Sequence, residues 1–178
     1  KMDFKELVLK RQSDRKYKAD KVEEEKIEMC IEASRLAPSA CNSQPWTFIV
    51  VTDEELVKEI GKAVSGLGMN TFAKTCPCFV AIVMEKPNFS SKLGCVMKDK
   101  DFPLIDIGIA ASYFCLQAAD IGLGTCTVGW FDEKKVKKIL NIPDKKRVPL
   151  LISLGYPDTA TRQKIRKDKE KMCKENSY

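Results

Sequence analysis

The chain has 178 residues, 44% of them hydrophobic and 31% charged. That balance fits one globular domain with a sizeable core and excludes a disordered or fibrous chain. It contains no histidine, which rules out Ser-His-Asp and Cys-His nucleophilic catalysis and any histidine proton relay.

The net charge of +6, much of it in the last third, admits a basic binding module for nucleic acid. The aromatic residues are scattered, however, and no nucleic-acid motif appears; a basic surface that attracts phosphorylated cofactors explains the charge as well. Eight cysteines stand at 30, 41, 76, 78, 95, 115, 126 and 173 without a CxxC pair. Their spacing supplies no zinc site, and they read as reduced, mostly buried thiols. No apolar run approaches the roughly 20 residues of a membrane span, and no signal-peptide pattern opens the chain. The expected location is cytoplasmic. The chain begins at Lys1, and Met2 is read as the natural start.

Phe4, Leu7 and Val8 recur at helical spacing and predict a short first helix ending near Lys10. Arg11-Gln12-Ser13-Asp14-Arg15 follows. In an extended segment residues 11, 13 and 15 share a side, so two guanidiniums and a hydroxyl converge as they do around a phosphate dianion. A solvated basic turn is the plainer reading of the same residues. Asp20 and Glu23 form a capping box for a second helix to Leu36, with Ile27, Cys30, Ile31 and Ser34 along its inner stripe.

The stretch Leu36-Ala37-Pro38-Ser39-Ala40-Cys41-Asn42-Ser43-Gln44-Pro45-Trp46 then separates that helix from an apolar β-branched strand, 47–51. Pro38 and Pro45 stop both elements, while Ser39, Asn42, Ser43 and Gln44 crowd hydrogen-bonding groups onto small residues. Such a loop suits a flat, polar-edged ligand, and also an ordinary helix-to-strand connection. Asp53 caps a third helix to about Val64, and Ser65-Gly66-Leu67-Gly68 breaks it before Asn70. A strand runs from Phe79 to Met84. Glu85 to Pro103 reads as a short polar loop. Ile105 to Gly122 is apolar nearly all round and reads as a buried central or interface helix.

Gly122 and Gly124 do not make a dinucleotide fingerprint, because they follow a helix and open a strand; Gly122 is a helix C′ glycine. Asp132 caps another helix carrying Val136, Ile139 and Leu140. Val148 to Gly155 is the last core strand, with Pro149 at its beginning. The tail, 158–178, is charged, and its Lys164-Ile165-Arg166 again sets two cations on one side of an extended chain.

Four segments, in this order, resemble the nitroreductase family: Arg-x-Ser-x-Arg at 11–15, the Pro-Ser…Asn-Ser-Gln-Pro-Trp loop, Gly-Leu-Gly…Gly-Trp-Phe-Asp at 122–132, and Lys-x-Arg at 164–166. The resemblance spans essentially the whole chain. It implies a single α+β domain with a central mixed sheet flanked by helices. It also implies a homodimer that exchanges the arm 158–178 and holds two FMN molecules at its interface.

By the same resemblance, Arg11, Gln12, Ser13, Arg15, Lys164 and Arg166 take the phosphate and ribityl end. Pro38, Ser39, Ala40, Asn42 and Gln44 line the ring bound by the partner subunit, with Cys41 as a pocket thiol. Val128, Gly129 and Trp130 face the reactive N5 edge, where backbone N–H groups stabilise negative charge, and Asn70 is a further ring contact. Trp130 replaces a small residue common in short members, so an indole here either stacks on the flavin or narrows the entry. The implied activity is ping-pong reduction of nitroaromatic, quinone or similar small electron-poor acceptors by NADH or NADPH. Dehalogenation, substrate dehydrogenation and flavin fragmentation are alternatives on the same fold, and a flavin carrier is a non-enzymatic one. Larger members place a lid helix where this chain has 85–103, so the short loop implies a more open pocket.

Overall fold

The computed structural model describes residues 2–178. Four strands, β1 (Trp46–Val51), β2 (Cys78–Met84), β3 (Gly124–Val128) and β4 (Arg147–Gly155), form one sheet in the order β1-β2-β4-β3. Each pairing is antiparallel. The expected mixed sheet is therefore replaced, within one chain, by an antiparallel one; the parallel pairing is an isolated bridge between Ser13 and Thr125.

Alternation along β2 divides the core. Phe79, Ala81 and Val83 face one side, with Val51, Val128, Val148 and Leu151 and the helices α3 (Glu54–Val64) and α6 (Glu133–Ile139). Val80 and Ile82 face the other, with Ile152 and Leu154, against α2 (Glu24–Arg35) and α5 (Phe102–Asp120). Phe79 and Phe114 are wholly buried, and burial of each such side chain contributes roughly 1.5–3 kcal/mol. Pro149 lies where the β2–β4 register shifts, between the pairs Ile82–Leu150 and Met84–Arg147, a position that needs no ladder donor.

Several sequence expectations hold. The first helix, α1, is Phe4–Lys10, Asp53 caps α3 through Glu55 N and Leu56 N, and Gly122 follows α5 with φ +84°. Cys30, Cys76, Cys78, Cys115 and Cys126 are buried free thiols, while Cys41 and Cys173 are exposed.

Four expectations are corrected. The Asp20–Glu23 capping box is absent, and α2 starts at Glu24 with no side-chain cap. The Glu23 carboxylate is instead engaged by Tyr156 Oη and by Lys26 Nζ; the capping box that does form is Asp3–Glu6, at α1. Segment 85–103 is not a short loop: it carries α4 (Phe89–Lys98), capped by Asn88, whose side chain accepts from Ser91 N. The helix α5 is not buried all round. Ile107, Ala110, Phe114 and Ala118 pack inward, whereas Leu104, Ile105 and Tyr113 are exposed. The expectation that no apolar run approaches a membrane span also fails for α5, which is long and apolar enough by length and composition, although its inner face belongs to the domain core.

Candidate functional site

The turn after α1 runs beside β3. Ser13 bridges Thr125, and Asp14 N donates to Thr125 O at 2.8 Å. Glycine at 124 permits that approach, because a Cβ there would lie 2.7 Å from Asp14 Oδ2. The Asp14 side chain is buried, and burial pushes its carboxyl above the usual range despite the opposing bond from Gln12.

The two basic segments meet. Arg11, Gln12, Ser13 and Arg15 line one pocket of about 370 Å³ with Arg162, Lys164 and Arg166. Among the described residues, none of these five cations forms an ion pair. Lys164 is pushed below the ordinary lysine value by partial burial and then by Arg11, Arg166 and Arg162. Mutual repulsion of this kind is relieved by an anion. The first part of the tail, residues 158–164, is thus held against the domain within one chain, and Lys164 Nζ donates to Leu9 O near the end of α1.

Arg162 was not singled out by the sequence reading, although the alternation Arg162, Lys164, Arg166 carries the signal. Its guanidinium donates to Ser13 O at 2.7 Å. Gln12 points toward the arm and Asp14: Nε2 donates to Asp14 Oδ1 at 2.9 Å and to Ala160 O at 3.2 Å, and Oε1 accepts from Arg162 N at 3.0 Å.

Arg11 also lines a trough of about 470 Å³ between β3 and α5, bounded by Val8, Gly108, Ala111, Ser112, Cys115 and Thr127. Its floor of small α5 residues leaves room for a planar group. Thr127 leads to Val128, which is buried in the core, and to Gly129 and Trp130, which are exposed. The Asn70 side chain donates to Trp130 O at 3.0 Å, so Asn70 holds the backbone at the end of the trough.

The residues Pro38, Ser39, Ala40, Asn42 and Gln44 form one loop ahead of β1. Cys41, Asn42 and Gln44 adopt φ of +52°, +50° and +48°, at a cost of roughly 1–2 kcal/mol for each non-glycine residue. This loop and Gly129–Trp130 lie at the same end of the sheet but at opposite edges, since β1 and β3 are the outer strands. Three strand spacings separate them, roughly 14 Å. One chain therefore assembles the cationic pocket and the trough but does not bring the loop onto Gly129–Trp130.

The family model of the nitroreductases matches residues 8–156. The chain belongs to the nitroreductase family. It is an oxidoreductase with the α+β nitroreductase fold. An FMN-dependent nitroreductase of Clostridium difficile R20291 superposes with a TM-score of 0.81 at 30% identity, covering 97% of this chain and 98% of that one. A protein of Archaeoglobus fulgidus, provisionally named NADH dehydrogenase/NAD(P)H nitroreductase, is 32% identical over 157 residues, 85% of this chain and 83% of its own. An iodotyrosine deiodinase of Thermotoga neapolitana is 27% identical over 164 residues, 86% and 88% of the two chains. For a nitroreductase-family chain, the residues present fit FMN: a multi-cation pocket suits its phosphate, and the adjoining apolar trough suits its tricyclic ring.

Proposed function

We propose that this chain works as a homodimeric, FMN-dependent NAD(P)H oxidoreductase that reduces small electron-poor acceptors such as nitroaromatics and quinones. The observation that carries this reading is the convergence of Arg11, Arg15, Arg162, Lys164 and Arg166 on one pocket that opens, past Arg11, into the α5–β3 trough. When bound, the flavin supplies two-electron redox chemistry between reductant and acceptor.

The protein's own residues bind and orient. The guanidiniums of Arg11, Arg15, Arg162 and Arg166 and the Lys164 ammonium would neutralise the phosphate dianion, with the Ser13 hydroxyl as a further donor. Gly108, Ala111 and Ser112 leave the ring space. The N–H groups of residues 129–130, beyond the last β3 pairing at Val128–Leu151, would favour negative charge at the ring's reactive edge. Asn70 fixes that backbone through Trp130 O. The strand order supports a site built from two chains, because the 38–44 loop and residues 129–130 of one chain stand at opposite edges of its sheet.

The test is an anaerobic titration of protein saturated with FMN and desalted. Retained flavin that bleaches with about one NADH or NADPH per site, and recovers with a nitroaromatic or quinone, is expected. Recovery with iodotyrosine, accompanied by iodide release and no nitroaromatic turnover, would move the assignment to dehalogenation, the activity named for the Thermotoga relative. A colourless protein after desalting would refute the FMN assignment.

A further inference from the structure

We propose that Asp106 and Asn88 are positioning residues that set the ring-facing loop, and that Asn88 makes this loop and the α4 helix one mechanical unit. The proposal rests on the functional reading above for the loop's role, but the coupling itself is a property of the protein without flavin.

The loop is held from two sides. From α5, both carboxylate oxygens of Asp106 accept from Ala40 N at 3.1 Å. Asp106 is only 3% exposed, and among the described residues no cation pairs with it. A buried carboxylate given over to one loop N–H is costly to desolvate and is explained by what it holds. From the start of α4, Asn88 Nδ2 donates to Cys41 O at 2.9 Å and Asn88 N donates to Ser43 Oγ at 2.8 Å. The same Asn88 caps α4, since Oδ1 accepts from Ser91 N at 2.9 Å. One side chain thus closes the helix with its oxygen and grips the loop with its nitrogen. The left-handed residues Cys41 and Asn42 lie between the anchored Ala40 and Ser43, and Gln44 follows directly, a backbone arrangement that persists only when its surroundings over-determine it. The α4 helix carries Phe89, Leu93, Val96 and Met97 exposed; with the latch in place, a shift of this apolar face displaces the loop that lines the ring.

Asn88→Asp separates the two roles of Asn88, because the carboxylate keeps the cap for Ser91 N but loses the donor to Cys41 O. Amide hydrogen exchange in the flavin-free protein should rise at least fivefold for residues 38–44, with α4 changed by less than twofold and the core strands unchanged. The FMN dissociation constant, from quenching of flavin fluorescence, should rise about tenfold. Asp106→Asn keeps an oxygen for Ala40 N and should restore near-wild-type exchange in the loop, whereas Asp106→Leu should accelerate it. Unchanged loop exchange in Asn88→Asp, or equal acceleration in Asp106→Asn and Asp106→Leu, would overturn the proposal. If the wild-type protein binds no FMN, the functional reading fails while the exchange data still decide the coupling.

Discussion

Gln12 accepts a hydrogen bond from the backbone N–H of Arg162, 150 residues further along the chain, at 3.0 Å. The contact explains why a tail rich in charge lies against the domain. Gln12 uses both ends of its amide, donating to Asp14 and Ala160 while accepting from Arg162, so it staples the arm to the turn. The pocket's two halves are thereby tied together by the chain's own hydrogen bonds, which lowers the ordering cost of binding an anion there.

Removing the staple should cost affinity. Arg162→Ala and Gln12→Ala are each expected to weaken FMN binding about tenfold, or about 1.4 kcal/mol, with little change in melting temperature. Gln12→Glu should be worse, because it sets a carboxylate against Asp14. Fluorescence titration of free flavin checks all three, and wild-type affinity in Arg162→Ala would show that the guanidinium serves only the fold.

Asp14 gives a pH signature. Burial raises its folded pKa above the unfolded value of 3.8, so the stability it contributes is fully present below that value and is lost as pH rises through the folded pKa. At neutral pH the ionised side chain is therefore a liability beside Gly124. Asp14→Asn should melt higher than wild type at pH 7, and the gain should vanish as pH falls below 4. A gain that persists at low pH would assign the effect to packing.

What was legible in the sequence follows from what is local. The turn 11–15, the 36–46 loop and Gly122 announce themselves through residues whose backbone or charge preferences act over a few positions, and the structure places them as elements of the expected kind. Arg162, Asn88 and Asp106 escaped because their significance depends on partners far along the chain: Gln12, Cys41 and Ala40. The α4 helix escaped because Pro87, Gly94 and polar residues mask the spacing of Phe89, Leu93 and Met97, and because its start depends on the single cap at Asn88. The inner and outer faces of α5 are equally apolar, so periodicity could not say which one the sheet would bury.

Glu23 gives the opposite pH behaviour. The bond from Tyr156, reinforced by Glu23's own backbone N–H and then by Lys26, lowers its carboxyl to about 2. Its contribution is present above the unfolded value of 4.5 and is lost as pH falls toward 2. Tyr156→Phe should flatten the stability profile between pH 5 and pH 2, measured by thermal melts across that range (roughly the window set by the linkage relation). A profile unchanged from wild type would show that Lys26 alone holds Glu23.

The outer face of α5 tests the two-chain site. Leu104, Ile105 and Tyr113 are 45%, 52% and 40% exposed, on the helix whose small residues line the trough. An apolar face left open beside a binding trough is the pattern of a subunit interface. The double substitution Ile105→Asp with Tyr113→Asp places two charges there without touching Phe114 or Ile107, which anchor the inner face. Light scattering should give a dimer for wild type and a monomer for the variant, with unchanged far-ultraviolet circular dichroism. The monomer keeps Arg11, Arg15, Lys164 and Arg166, so it should still bind inorganic pyrophosphate. On the proposed two-chain site, in which the partner's loop completes the ring pocket, its FMN affinity should fall at least a hundredfold, about 2.8 kcal/mol. A monomer that binds FMN as tightly as wild type would show that one chain suffices. A variant that stays dimeric would place the interface elsewhere on the surface.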